Sequence, residues 1–252
     1  DLAVQAQALD PLVDSAEVGP ALWNDLLDRI EAAPGPVLIT HGTDTLAYTG
    51  AALSAALAGL GRVVILCGSM HPLGAGGDAE GNLALALTAL GDAGPGEASM
   101  GVWLAFAGEV VAAWALTKVH SQADRAFAEA GDVGASPTPL ARRFDPDLRL
   151  GVVTVTPGLL AGSLAAMLAD LDGAVLRVFG AGTLPSQLGD ALAHATAKGC
   201  QITAISQCQQ GGLEPGAYAA GAALWAAGVE NGGAMSAEQA LTRLWLRLSA
   251  KA

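Results

Sequence analysis

Residues 37–59, VLITHGTDTLAYTGAALSAALAG, decide the fold of this chain. The run opens with three apolar residues, 37–39, which predict a buried strand. An alanine- and leucine-rich run from Leu46 to Leu57 predicts a helix. The polar residues THGTDT lie between them. Open α/β sheets bind ligands at such a place, where a parallel strand ends and a helix begins.

Two interpretations of Thr43 and Asp44 follow from residue type alone. Thr and Asp are preferred N-cap residues, so either side chain would serve to cap the helix that begins nearby. A hydroxyl and a carboxylate at the end of a parallel strand also suit a ligand site. By residue type the cap is the more common outcome, and capping does not exclude a role in a site.

The order of strand, polar loop and helix occurs again along the chain. Residues 62–67 (RVVILC) predict a second buried strand, and a helix is expected from about Asn82 to Leu90. Residues 101–106 and 109–115 predict two further strands, joined by the two-residue link Ala107-Gly108. This pattern predicts a parallel sheet that ends in a hairpin.

The pattern is interrupted and then restarts. Residues 131–149 are rich in Pro, Gly, Asp and Arg and are expected to form a linker. From Leu150 the strand–helix alternation resumes, and the last helix, at 236–249, has a capping box formed by Ser236 and Gln239. The fold class is therefore α/β, with a Rossmann-like parallel-sheet domain at 1–130 and a second α/β domain at 150–252.

Composition excludes several function classes. The chain has 252 residues and a net charge of −12, and its lysines are Lys118, Lys198 and Lys251. Nucleic acids and anionic membranes are bound by clustered Lys and Arg, so neither is an expected partner. No apolar run reaches the roughly 18–20 residues that span a bilayer.

Cysteine and histidine usage indicates neither a disulfide framework nor a metal site. Cys67, Cys200 and Cys208 are odd in number and lie in or beside apolar runs, which favours buried free thiols in a reducing compartment. The four histidines lack metal-ligand spacing. Gly180-Ala181-Gly182 lacks the rest of a dinucleotide-binding motif and predicts a tight turn. No cofactor is expected.

The remaining candidates for chemistry are Ser15, Thr43, Asp44 and Lys118. A threonine hydroxyl is a weak nucleophile until a base takes its proton. A lysine desolvated at the end of a strand can be that base, because burial favours the neutral amine. Lys118 would equally reach solvent as an ordinary strand-end lysine, and Ser15 would equally begin a helix. Asp44 suits an ammonium group.

These segments together resemble a known family, the bacterial-type L-asparaginases. The THGTDT segment, preceded by VLI, is similar to the second signature of that family. The C-terminal part is more similar to the cytoplasmic type I enzymes than to the periplasmic type II enzymes. Further segments agree in order: Asp14–Val18 (DSAEV), Gly68–Pro72 (GSMHP) with Asp78 and Asn82, Thr117-Lys118, Ser206–Cys208 and Gly216–Gly221.

The resemblance implies a large N-terminal and a smaller C-terminal α/β domain, a homotetramer that is a dimer of dimers, and a cytoplasmic location. It implies hydrolysis of L-asparagine to L-aspartate and ammonia through a threonine acyl-enzyme, without a cofactor. Thr43 and Lys118 would form the activating hydroxyl–amine pair, and Asp44 would act beside them.

The resemblance also implies how substrate is held. Asp44 would bind the substrate ammonium group, and Ser15 would bind the α-carboxylate with Glu17 nearby. The backbone at Ser69 would contact the side-chain amide.

One family segment is not in this sequence. The family has a first reactive threonine in a T-G-G-T-I motif on the opening strand, followed by a mobile loop that closes over the site. Without that central strand, strand edges and apolar faces of the sheet would stay unpaired, so we expect the segment to precede Asp1 in the full protein. Two alternatives are an ammonia-releasing, glutaminase-type subunit of a tRNA-dependent amidotransferase and a catalytically incomplete amino-acid-binding relative.

Overall fold

The structure is a computed structural model that describes residues 4–92, 100–133, 137, 138 and 140–251. The chain divides into two compact units. The first comprises Asp1–Ala128 and Ser136–Phe144, and the second Glu129–Ala135 and Asp145–Ala252. Residues 134–136 and 139 of the expected linker lie outside the described part. No described helix is long and apolar enough to cross a bilayer.

The first unit alternates strands and helices in the predicted order as far as residue 112, and two short strands that were not predicted follow, Leu116–Lys118 and Phe127–Glu129. Pro20 occupies the first position of the first helix, where proline is favoured because the backbone N–H that it lacks would have no partner within the helix. The elements are α1 (Pro20–Ala32), β1 (Val37–Thr40), α2 (Leu46–Ala56), β2 (Val63–Cys67), α3 (Ala79–Asp92), β3 (Gly101–Phe106), β4 (Glu109–Ala112), β5 (Leu116–Lys118) and β6 (Phe127–Glu129).

The main sheet of this unit has the order β1-β2-β3-β4. The first three strands are parallel, and β4 returns antiparallel to β3 through Ala107 and Gly108, both at positive φ, as in a type I′ hairpin turn. The predicted hairpin is thus confirmed, although β4 ends at Ala112 and a 3₁₀ turn replaces its last residues. β5 pairs with β6 in a separate two-stranded sheet.

The first strand is less buried than its apolar sequence predicted. Val37, Leu38 and Ile39 are only half-buried, because β1 lies at an edge of the sheet in the described part of the chain. α2, by contrast, is buried along almost its whole length. Its small residues permit close approach: a Cβ at Gly50 would lie 2.8 Å from the carbonyl oxygen of Ala113.

The second unit repeats the α/β arrangement. Its sheet has the order β10-β9-β8-β7, with every neighbouring pair parallel. The Ser236–Gln239 capping box is confirmed at the start of the last helix. The elements are β7 (Leu150–Thr154), α4 (Ala161–Leu168), β8 (Gly173–Val178), α5 (Gly189–Ala197), β9 (Gln201–Ser206), α6 (Ala222–Ala226), β10 (Glu230–Asn231) and α7 (Ala237–Ser249).

The cysteines are free thiols, as predicted, but they are not all buried. Cys67 ends β2 and Cys200 precedes β9, and both are buried. Cys208 is exposed, since it lies two residues beyond β9 in the following turn region rather than within the strand.

Candidate active site

The carboxyl ends of the parallel strands bring two polar loops together in the first unit. The register sets Thr40 beside Cys67, and Cys67 beside Ala105. The loops that follow β1 and β2 therefore start at the same edge of the sheet. They pack closely, because a Cβ at Gly68 would lie 2.8 Å from the carbonyl oxygen of His41 and 3.4 Å from Cγ2 of Thr43.

Lys118 reaches this edge from the end of β5. Its Nζ lies 2.9 Å from Oγ1 of Thr43 and 2.6 Å from Oδ1 of Asp44. The Lys118 side chain is 20% exposed, whereas that of Asp44 is 67% exposed. Lys118 thus contacts a hydroxyl and a carboxylate in a largely enclosed position, and the solvent-reaching alternative is wrong.

The capping interpretation of Thr43 and Asp44 is also wrong. The N-cap of α2 is Thr45, and its side chain makes no capping hydrogen bond. Instead the Thr45 hydroxyl donates to the carbonyl oxygen of Ser15 at 2.6 Å. The turn between β1 and α2 leaves the Thr43 and Asp44 side chains in contact with the lysine.

Ser15 lies against the same turn. It is buried in a short 3₁₀ turn, Ser15–Glu17, whose N-cap Asp14 accepts from the backbone N–H of Ala16 at 2.8 Å. A Cβ at Gly42 would lie only 2.6 Å from the Ser15 hydroxyl oxygen. Gly42 therefore permits the Ser15 segment to approach Thr43. Glu17 is exposed on the same 3₁₀ turn.

His41 lines the candidate site, although it was not among the predicted site residues. Its Nδ1 lies 2.7 Å from the carbonyl oxygen of Gly42, and Oγ1 of Thr49 lies 3.0 Å from its Nε2. A carbonyl oxygen only accepts, so Nδ1 carries the hydrogen and Nε2 accepts from Thr49. Trp23 Nε1 in turn donates to Thr49 Oγ1 at 3.1 Å. This chain of bonds supports the backbone immediately before Thr43.

The environment of His41 favours the neutral ring. Burial lowers the pKa of His41, and the hydrogen bond to Gly42 offsets only part of that effect. The direct partners of His41 are local, Gly42 next to it and Thr49 on α2, but the Trp23 of α1 that binds Thr49 is brought there only by the fold. The one local signal was the histidine itself in a polar turn.

The neighbouring thiol is not suited to nucleophilic chemistry. Burial, with a smaller contribution from the Asp78 carboxylate, raises the pKa of Cys67 to about 11. Since the thiolate is the nucleophile, Cys67 stays unreactive near neutral pH. Among the described residues no group of three His, Cys, Asp or Glu side chains is arranged to hold a metal ion.

An open cavity of about 320 Å³ borders the two loops. Its volume lies at the lower end of the range of small-molecule sites. It is lined by Thr40, His41, Gly42, Cys67, Gly68, Ser69, Leu73, Ala79 and Leu83.

Comparison with known proteins identifies the family of the chain. Two family models match the chain: "Asparaginase, N-terminal" over residues 3–137 and "Glutaminase/Asparaginase C-terminal domain" over residues 149–252. L-asparaginase 1 of Escherichia coli K12 is 33% identical over 263 residues, which cover 95% of this chain and 77% of that protein. L-asparaginase of Thermococcus kodakarensis is 34% identical over 92% of this chain and 76% of its own length.

Solved structures show the same relationship. The crystal structure of L-asparaginase I from Vibrio cholerae superposes with a TM-score of 0.81 at 30% identity, covering 97% of this chain and 80% of that one. The thermostable L-asparaginase from Thermococcus kodakarensis gives a TM-score of 0.78 at 28% identity. Family models, sequence identity and fold all agree, and the chain belongs to the asparaginase family.

Proposed function

We propose that this protein hydrolyses L-asparagine to L-aspartate and ammonia through a threonine acyl-enzyme. One observation carries the proposal: the contact of Lys118 Nζ with both Thr43 Oγ1 and Asp44 Oδ1 at the strand ends. An amine in contact with both a hydroxyl and a carboxylate supplies the groups that amide hydrolysis needs for proton transfer.

In this mechanism Thr43 and Lys118 move one proton. A neutral Lys118 accepts the proton of the Thr43 hydroxyl across 2.9 Å. The Thr43 oxygen can then attack the amide carbon itself, or it can take a proton from the first reactive threonine of the family, which would then make the attack. As the carbon–nitrogen bond breaks, the proton held by Lys118 passes to the leaving nitrogen, which departs as ammonia. Water hydrolyses the remaining ester to aspartate and regenerates the hydroxyl.

Substrate binding uses the residues around this pair. Asp44 is the exposed carboxylate and would receive the substrate ammonium group by a charge-assisted hydrogen bond. That ammonium would compete with Lys118 for the Asp44 carboxylate, which Lys118 Nζ contacts at 2.6 Å. Ser15, with Glu17 nearby, would hold the α-carboxylate, and the backbone at Ser69 would contact the amide.

The direct test is release of ammonia and aspartate from L-asparagine by the full-length protein. A coupled assay and NMR would measure the two products. Rapid acid quenching and peptide mass spectrometry would then locate the aspartyl ester. An ester on Thr43 would assign the attack to the Thr43 hydroxyl. An ester on another threonine would mean that Thr43 is the base that deprotonates that threonine. Turnover without a trapped ester on any threonine would argue against the acyl-enzyme.

Two other results would point away from this function. Activity that appears only with a partner subunit and charged tRNA would assign the chain to a tRNA-dependent amidotransferase, although the net charge of −12 disfavours such a partner. Calorimetric binding of asparagine without turnover, in a protein of verified intact mass, would indicate an amino-acid-binding relative.

We also propose a homotetramer, a dimer of dimers, in the cytoplasm, on the strength of the similarity to type I enzymes. Light scattering after size-exclusion chromatography should give four times the mass of one chain. Cell fractionation tests the compartment, and a monomer or a periplasmic protein would contradict these two points.

A further inference from the structure

The loop that contains Ser69 is held on both sides by two side chains at the start of α3. Asp78 immediately precedes α3, and Asn82 lies one turn into it. Neither residue is among those proposed above to bind or transform substrate. Asn82 is buried, and the Asp78 side chain is 9% exposed.

Asp78 fixes the backbone after Ser69. Its carboxylate accepts the N–H of Met70 at 2.9 and 3.1 Å and the N–H of His71 at 3.0 Å. Its Oδ1 also lies 3.4 Å from Nδ1 of His71. Burial by itself raises the pKa of Asp78, but the hydrogen bonds from Met70 and His71 outweigh burial and lower it below its usual value. The carboxylate therefore stays charged and acts as an acceptor at neutral pH.

Asn82 fixes the backbone before Ser69. Its Nδ2 donates to the carbonyl oxygen of Gly68 at 3.0 Å and to Oδ2 of Asp78 at 3.1 Å. Its Oδ1 accepts the N–H of Ala107 at 2.8 Å. Both amide hydrogens and the oxygen are thus used, and the side chain connects the loop after β2 to the β3–β4 turn.

These contacts constrain the peptide groups on each side of Ser69. The carbonyl before it is bound by Asn82, and the N–H after it is bound by Asp78. On its other side the loop packs against the His41–Thr43 turn through Gly68. The Ser69 backbone therefore has a defined position relative to Thr43, and that position is maintained by two side chains that are themselves largely buried.

We propose that Asp78 and Asn82 are positioning residues that fix the Ser69 backbone for recognition of the side-chain amide, and so determine which amide the enzyme cleaves. The proposal rests on the proposed function, because it assigns to Ser69 a contact with the amide. Discrimination between two amides that differ by one methylene depends on placing that contact within a fraction of an ångström.

The test compares Asp78→Asn with Glu80→Gln. The first change is isosteric, but it places an amide nitrogen where Asp78 accepts a hydrogen bond. Glu80 is the matched control: it is an acidic residue in the first turn of the same helix, and it accepts the N–H of Gly74 at 2.6 Å, outside the Ser69 segment.

We expect Asp78→Asn to lower kcat/KM for L-asparagine about tenfold, as for a lost charge-assisted hydrogen bond, and to change the asparagine-to-glutamine ratio by about fivefold or more. Glu80→Gln should leave both quantities within about twofold of the parent, as expected for an exposed surface substitution. A ratio is informative because partial unfolding lowers both rates equally. An unchanged ratio, with or without a loss of activity, would overturn the proposal.

Amide hydrogen exchange separates this inference from the proposed function. Asp78→Asn should speed exchange at Met70 and His71 but not at Gly74. Glu80→Gln should speed exchange at Gly74 but not at Met70 and His71. In the parent protein the Met70 and His71 amides should be protected, which can be tested even if the Asp78 variant does not fold. Fast exchange there would overturn the proposal. A parent protein that cleaves neither amide would refute the proposed function, and exchange would still decide whether the loop is held.

Discussion

Lys118 and Thr43 are 75 residues apart in the chain, yet Nζ of the lysine lies 2.9 Å from Oγ1 of the threonine. The two side chains come from different elements, the end of β5 and the turn after β1. Their contact places an amine next to the threonine hydroxyl. A weak nucleophile such as a hydroxyl becomes useful in catalysis when a neighbouring base can take its proton.

Removing the amine should abolish most of the activity. Lys118→Met keeps the side chain as far as Cε but lacks the amine that accepts a proton, so kcat for L-asparagine should fall by about 10² to 10⁴. The matched control is Lys198→Met, because Lys198 is exposed at the end of α5 in the second unit. Steady-state kinetics of both variants make the comparison. Equal activity of both variants would remove Lys118 from the mechanism.

The hydroxyl can be tested separately at the same site. Thr43→Ala removes it and should reduce kcat as severely as the lysine change, because the two groups act as a unit. Thr43→Ser retains the hydroxyl and should keep measurable turnover. If Thr43→Ser were as inactive as Thr43→Ala, the hydroxyl would not be sufficient for turnover, which would contradict this prediction.

Gly42 should be sensitive to a single methyl group. A Cβ at this position would lie 2.6 Å from the Ser15 hydroxyl oxygen, so Gly42→Ala must displace the Ser15 turn. We expect a loss of about 1–3 kcal/mol in the free energy of unfolding, as for overpacking, together with a raised KM.

Gly81→Ala in α3 is the control for that change. A Cβ there meets no atom within 4 Å, and alanine favours a helix by about 1 kcal/mol over glycine, so stability should be equal or higher. Urea denaturation and asparagine kinetics on both variants provide the measurement. A Gly42→Ala protein with unchanged stability and KM would show that the Ser15 turn moves at no cost.

Local sequence signals predicted most of the secondary structure of this molecule but not the contacts between distant segments. Most strands and helices and the Ala107-Gly108 hairpin follow from apolar runs and turn residues, which act within a few positions, whereas the short strands β5, β6 and β10 were not predicted. The half-buried state of β1 and the exposure of Cys208 depend on which strands pair and where a strand ends. The hydrogen bonds of Thr45 to Ser15 and of Asn82 to Gly68 join segments that only the fold brings together. The sequence pattern therefore singled out Thr43 and Lys118 as candidates, but it did not predict the hydrogen bonds that hold the surrounding loops in place.

The three thiols should differ sharply in reactivity. Burial raises the pKa of Cys67 to about 11 and also raises the pKa of Cys200, whereas Cys208 is exposed. Because alkylation requires the thiolate and access, iodoacetamide at pH 8 should modify Cys208 first. Peptide mass spectrometry over time gives the order. A Cys208→Ser protein should label slowly until it is unfolded, and rapid labelling of Cys67 in the folded protein would contradict its assigned burial.

His41 should make the protein less stable in mild acid. Its pKa is lower in the folded protein than in the unfolded chain, where it is near the ordinary value of about 6.5. Below that value the unfolded chain binds a proton at His41, whereas the folded protein stays unprotonated there until the pH reaches its lower pKa. The free energy of unfolding therefore decreases as the pH falls. The stabilisation is fully present above about pH 6.5 and is lost as the pH falls toward the lower folded value.

Urea denaturation at several pH values between 5 and 8 measures this slope. His41→Asn retains a donor for the Gly42 carbonyl but cannot take up a proton, so its slope over this range should be smaller than that of the parent. His194→Asn, at an exposed helical position, serves as the control and should keep the parental slope. The same acid range should lower kcat in the parent, because a proton on Nε2 ends its acceptance from Thr49 and loosens the turn before Thr43. Parallel slopes for all three proteins would mean that His41 is not the group that titrates.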